Sequence, residues 1–77
     1  MEDLKLYVME RWPFCVKVVD FLDEKGLEVE ILDIDKNPKY REELKRIGGK
    51  IQVPMLLIDG KPLYESDDIV AWCKKNR

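Results

Sequence analysis

Histidine is absent from this 77-residue chain. Its absence excludes histidine general-base catalysis and histidine metal ligation. Cysteine is scarce. Cys15 and Cys73 are the only two, too few for a disulfide framework. Two sulfurs so far apart in sequence make a poor zinc site, so no metal is expected. No apolar run approaches the ~20 residues of a membrane helix. The start, Met1-Glu2-Asp3, is acidic and lacks the apolar core of a secretory signal. These absences point to a reducing, cytoplasmic setting away from membranes. Basic charge is not in excess either. The formal net charge is −2 with the signs well mixed, which excludes a basic nucleic-acid footprint. No internal repeat, low-complexity tract or linker interrupts the chain.

What is present suits one small domain over residues 1–77. A core of this size leaves a net stability of only about 3–5 kcal/mol. Leu4 to Met9 reads as a first strand. Pro13 suits the first turn of a helix, where its missing N–H is no loss. That helix runs to about Lys25, with Cys15, Val18, Val19 and Leu22 on one apolar face and Gly26 as its stop. Glu28-Val29-Glu30-Ile31 alternates charged and apolar residues, as a second strand continuing through Ile34. Asn37-Pro38 opens a second helix, in which Tyr40, Leu44 and Ile47 share a face; Gly48-Gly49 ends it.

The run from Val53 to Ile58 is apolar almost throughout, as expected of a central strand covered on both faces. Asp59-Gly60 is a strong hairpin signal and sends a fourth strand, Lys61 to Tyr64, back antiparallel. Ser66 is a suitable N-cap, and Asp67 and Asp68 suit the first turn of a third helix that runs to about Lys75. Ile69, Val70 and Cys73 face inward on it. The expected order is β-α-β-α-β-β-α: an α/β protein with a four-stranded mixed sheet and three helices on its two faces. Its first β-α-β unit is a right-handed parallel crossover.

Trp12-Pro13-Phe14-Cys15 stands where the first strand turns into the first helix. A redox Cys-x-x-C pair sits at such a turn, because the helix N-terminus favours a thiolate there. Together with Val53-Pro54 and Glu65-Ser66-Asp67-Asp68, this segment resembles the glutaredoxin family of the thioredoxin fold, from about Leu4 to Asn76. Pro13-Phe14-Cys15 matches the last three positions of the family's C-P-[YF]-C motif, and Trp12 replaces its nucleophilic cysteine. The Glu-Ser pair also resembles the N-terminal domain of glutathione transferases, whose second helical domain has no counterpart in these residues.

The resemblance implies a groove for glutathione. A cis Val53–Pro54 bond would turn Val53's backbone outward to pair with a peptide. The N–H groups of Ser66 and Asp67 would hold the ligand's α-carboxylate, and the Asp67 carboxylate its ammonium. Met9 stands where the family commonly has a lysine, and Gln52 where a threonine often precedes Val-Pro. Glutathione is then a possible ligand rather than a bound cofactor. Iron–sulfur binding of the monothiol type would need the cysteine that Trp12 replaces. A transferase role for Tyr7 has nothing in the sequence to support it.

Each candidate also has a plainer reading. Cys15 is either a working thiol or a small buried residue of the helix face. Trp12 either contacts a ligand or plugs a vacated site. Val53 and Pro54 serve the fold first, as Ser66 and Asp67 serve the helix start. Cys73 belongs to the core, in a different helix from Cys15, which does not favour a disulfide between them. Three functions remain open: a glutathione- or peptide-binding module with little or no dithiol chemistry, a thiol-disulfide oxidoreductase using Cys15 as a monothiol, and a non-catalytic interaction domain. A monomer is expected.

Overall fold

The computed structural model describes residues 4–76; Met1, Glu2, Asp3 and Arg77 lie outside them, and so does the reading of an acidic, signal-free start. The elements follow the order β1 (Leu4–Val8), α1 (Pro13–Glu24), β2 (Glu30–Asp33), α2 (Pro38–Gly48), β3 (Met55–Ile58), β4 (Lys61–Leu63) and α3 (Ser66–Asn76). The strands form one mixed sheet in the order β2-β1-β3-β4. β1 and β2 are parallel, with Leu6 opposite Ile31. β3 is antiparallel to β1, with Leu6 opposite Leu56, and β4 is antiparallel to β3.

Side-chain alternation along the two inner strands explains their apolar runs. Successive residues of a strand point to opposite faces. Leu4, Leu6 and Val8 of β1 and Leu56 of β3 pack with Cys15, Val18 and Leu22 of α1 and Ile69 and Cys73 of α3. Tyr7 of β1 and Met55 and Leu57 of β3 point the other way, packing with Leu32 of β2, Ile34 just beyond it and Leu44 of α2. β3, covered on both faces, carries only apolar side chains, whereas β1 admits one charged residue, the half-buried Lys5. Each such buried aliphatic side chain contributes about 1.5–3 kcal/mol.

Helix boundaries follow local chemistry. Pro13 opens α1 from an extended Trp12, and Gly26 leaves it in the left-handed region at φ 67°. The Asn37 side chain accepts from the Lys39 N–H at 3.0 Å and caps α2. Gly49 closes α2 at φ 75°, its N–H donating to the Lys45 carbonyl at 2.7 Å. The neighbouring Gly48 is required for space. A Cβ there would lie 1.7 Å from the Tyr64 hydroxyl oxygen.

Several boundaries differ from the sequence reading. The β1–β2 ladder starts at Lys5 opposite Glu30, so the alternating residues from Glu28 overstate β2. Val53 and Pro54 precede β3 rather than open it, and β4 stops before Tyr64. Ser66 is the first residue of α3 instead of its cap. The chain turns at Glu65, with φ 69°, and the Glu65 carbonyl accepts the first helical bond, from the Ile69 N–H at 3.0 Å.

Candidate functional site

Trp12 has an extended backbone at the N-terminus of α1. Its carbonyl accepts from the N–H groups of Cys15 and Val16 at 3.0 and 3.1 Å, so its side chain leaves the chain beside the first turn. No side chain caps this helix, because an indole offers no acceptor. Trp12 is 46% exposed and Phe14 55%; their rings lie 6.0 Å apart in a tilted arrangement. Two large aromatics thus stand open to solvent at one helix start.

These rings form one wall of a groove of about 290 Å³. Val53 and Pro54, joined by a cis bond, form its floor. Ser66 and Asp67, at the start of α3, close the far end with Gln52 and Glu65. The fold therefore brings together four of the five candidate residues, from segments far apart in sequence. Gln52 Nε2 donates to Glu65 Oε1 at 3.3 Å across the rim. The Lys17 ammonium donates to the Asp67 carboxylate and ties α1 to α3 at the mouth. That hydrogen bond, with the ammonium's charge, holds the Asp67 carboxyl below the usual aspartate range.

Cys15 is the fifth candidate and does not line this groove. It is 1% exposed and lies in the core between α1 and the sheet. Burial pushes its thiol pKa up, opposed by a 3.5 Å hydrogen bond from the Met9 N–H and reinforced by the Asp33 carboxylate. Such a sulfur stays protonated at neutral pH and is a poor nucleophile. Cys15 and Cys73 are both thiols. Among the described residues no cluster of acidic groups and cysteines could hold a metal ion.

Tyr7 lies on the opposite face of the sheet from α1. Its hydroxyl donates to Glu43 Oε2 at 3.0 Å. Burial, with help from the neighbouring carboxylate, pushes its pKa up to about 12. It is a structural residue beneath α2 and not part of the groove. Phe14, Gln52 and Glu65 join the groove without having been chosen as ligand contacts. Their signal was present in the motifs, since Phe14 adjoins Trp12 and Glu65 adjoins Ser66. The Lys17–Asp67 pair had no such signal, because it spans two helices.

The β-α-β-α-β-β-α order around this mixed sheet defines a thioredoxin-like protein. The sequence profile of the Glutaredoxin family matches residues 4–63, and the chain belongs to that family. It is 32% identical over 71 residues to Glutaredoxin 3 of Escherichia coli (strain K12), covering 92% of this chain and 86% of that protein. Among solved structures it is similar to the β-etherase LigF of a Sphingobium species. That match has a TM-score of 0.79 and 33% identity, and covers 95% of this chain but 31% of the etherase. The holo form of poplar glutaredoxin C1 shares the fold at a TM-score of 0.73 and 19% identity, over 96% of this chain and 76% of that one. No described helix is long and apolar enough to cross a membrane.

Proposed function

We propose that this protein is a glutaredoxin-family module that binds glutathione, or a peptide of similar backbone, without dithiol reductase chemistry. One observation carries the reading. The groove at the start of α1 and α3 is open, while the Cys15 thiol lies outside its lining, buried and with its pKa pushed up by that burial. Thiol exchange needs an accessible thiolate in line with a disulfide. The Cys15 monothiol reading has neither exposure nor a lowered pKa behind it.

In this reading each groove residue has a task. The backbone of Val53 pairs with the peptide as a short added strand. The N–H groups of Ser66 and Asp67 face the ligand's α-carboxylate at the start of an 11-residue helix. Asp67 and Lys17 form a charge pair that can meet an amino-acid zwitterion, the ammonium on Asp67 and the carboxylate on Lys17. Trp12 and Phe14 cover the thiol end of the ligand with apolar surface. The exposed aromatic pair equally suits a peptide segment of a partner protein, since such residues anchor interfaces. The module is cytoplasmic and monomeric in this account, with glutathione as a reversible ligand.

A titration with reduced glutathione, followed by amide-resolved NMR, tests the reading. Shifts at Val53, Ser66 and Asp67 are expected at millimolar ligand. S-methylglutathione, which has no thiol, should produce the same shifts, because binding here uses no sulfur chemistry. Silence at all three amides would remove glutathione as the ligand.

A further inference from the structure

A second cavity, larger than the groove and separate from the cis-proline loop, lies between α1 and the edge strand β2. Its volume is about 450 Å³, within the range of small-molecule sites. It exists because the helices on that face pack over the inner strands. Leu32 of β2 points toward α2, so Ile31 and Asp33 point to the α1 side. Ile31 is left 44% exposed, and Val16 opposite it on α1 is 42% exposed. Val8, Cys15 and Val19 extend the apolar lining, joined by Tyr40 of α2.

The mouth of this cavity is acidic. Glu10, Asp20 and Asp33 reach it against one ammonium, that of Lys36. Lys36 is already paired with Glu10 at 3.3 Å. The Asp20 and Asp33 carboxylates have no cationic partner among the described residues. An apolar hollow rimmed by unneutralised carboxylates is complementary to a ligand with an apolar body and a positive head.

The geometry points to the cavity between α1 and β2 as a second binding site, for a small amphiphilic amine. Its aromatic or aliphatic body fills the space between Val16 and Ile31, and its ammonium sits at Asp20 and Asp33. The glutathione groove plays no part in this binding.

The full chain is titrated with naphthylmethylamine and, separately, with naphthylacetate, each followed by amide-resolved NMR. The amine should shift the amides of Val16, Ile31 and Asp33, while the carboxylate of matching shape should leave them in place. Asp20→Asn and Asp33→Asn should each weaken the amine by about two- to fivefold, the scale of a partly exposed ion pair. The amide preserves the Asp33 oxygen that accepts from the Asp35 N–H at 2.9 Å, so that turn survives the change. Val16→Lys, on an exposed helix position, should abolish binding with the rest of the spectrum unchanged. The proposal fails if the amine shifts none of these amides or acts no better than the acid. It also fails if the amine's shifts are confined to Trp12, Val53 and Ser66, or if dilution alone moves Val16 and Ile31, which would assign the face to a second copy of the chain.

Discussion

Replacing Trp12 by cysteine should turn this groove into a reactive site. The side chain at this position leaves an extended backbone at the start of a 12-residue helix whose first turn has no side-chain cap. The uncapped N–H groups and the helix dipole favour an anion there by about 0.3–2 kcal/mol. At 1.36 kcal/mol per pKa unit, a thiol with an ordinary value near ~8.5 falls to between about 7 and 8.3. Its thiolate fraction at pH 7 then rises from about 3% to between about 5 and 50%. Cys15 stays protonated in its buried position, so the introduced sulfur is the one that attacks. The assay is reduction of a glutathionylated peptide with glutathione as donor, beside alkylation rate against pH. Trp12→Cys should gain turnover and Trp12→Ser should not. A folded Trp12→Cys protein with an ordinary thiol pKa would refute the helix-terminus argument. One with a lowered pKa and no turnover would refute the claim that the groove delivers a disulfide to this position.

Other perturbations test single contacts. Lys17→Met removes the ammonium that holds Asp67, so the Asp67 pKa should climb back toward the ordinary aspartate value, as measured by carboxyl NMR titration. The pair's contribution is present above the unfolded aspartate pKa and disappears as pH falls through the lower folded one, so the difference between parent and variant in urea unfolding should vanish in acid. Tyr7 behaves in the opposite sense. Its folded pKa is raised to about 12, so its stabilisation is complete below the unfolded value near ~10 and is lost as pH rises toward 12. Tyr7→Phe should cost about 1 kcal/mol at neutral pH and flatten that alkaline loss in urea titrations. Gly48→Ala should cost about 1–3 kcal/mol, because its methyl group overlaps the Tyr64 hydroxyl. The Tyr64 hydroxyl is buried without a hydrogen-bond partner among the described residues, so Tyr64→Phe should be neutral or stabilising by up to about 1 kcal/mol. The double variant should cost less than the sum of the two, which a double-mutant cycle would reveal.

The element order was legible because most local signals agreed with one another. Pro13, Asn37-Pro38 and the glycines at 26, 48 and 49 stand where elements start and stop. Cys15, Val18 and Leu22 are buried as their spacing implied, and so are Leu44, Ile69 and Cys73. The apolar run before the hairpin becomes β3 from Met55 onward, and with β1 it feeds both cores. Groove residues were legible only through motif resemblance, since nothing periodic links Trp12, Val53 and Ser66. What stayed hidden depends on pairs that meet only in three dimensions. Lys17 with Asp67, Tyr7 with Glu43, and Gly48 with Tyr64 are such pairs. The cavity beside β2 was hidden for the same reason: Ile31 looks like any strand residue until the sheet order makes β2 an edge.

The most direct test measures whether the unaltered protein performs thiol exchange at all. It is incubated with a glutathionylated peptide and glutathione, and both turnover and the mass of the Cys15-containing fragment are followed. No turnover and no adduct on Cys15 are expected, with Cys15→Ser indistinguishable from the parent. Turnover that disappears in Cys15→Ser, or a Cys15–glutathione adduct formed under native conditions, would contradict the account.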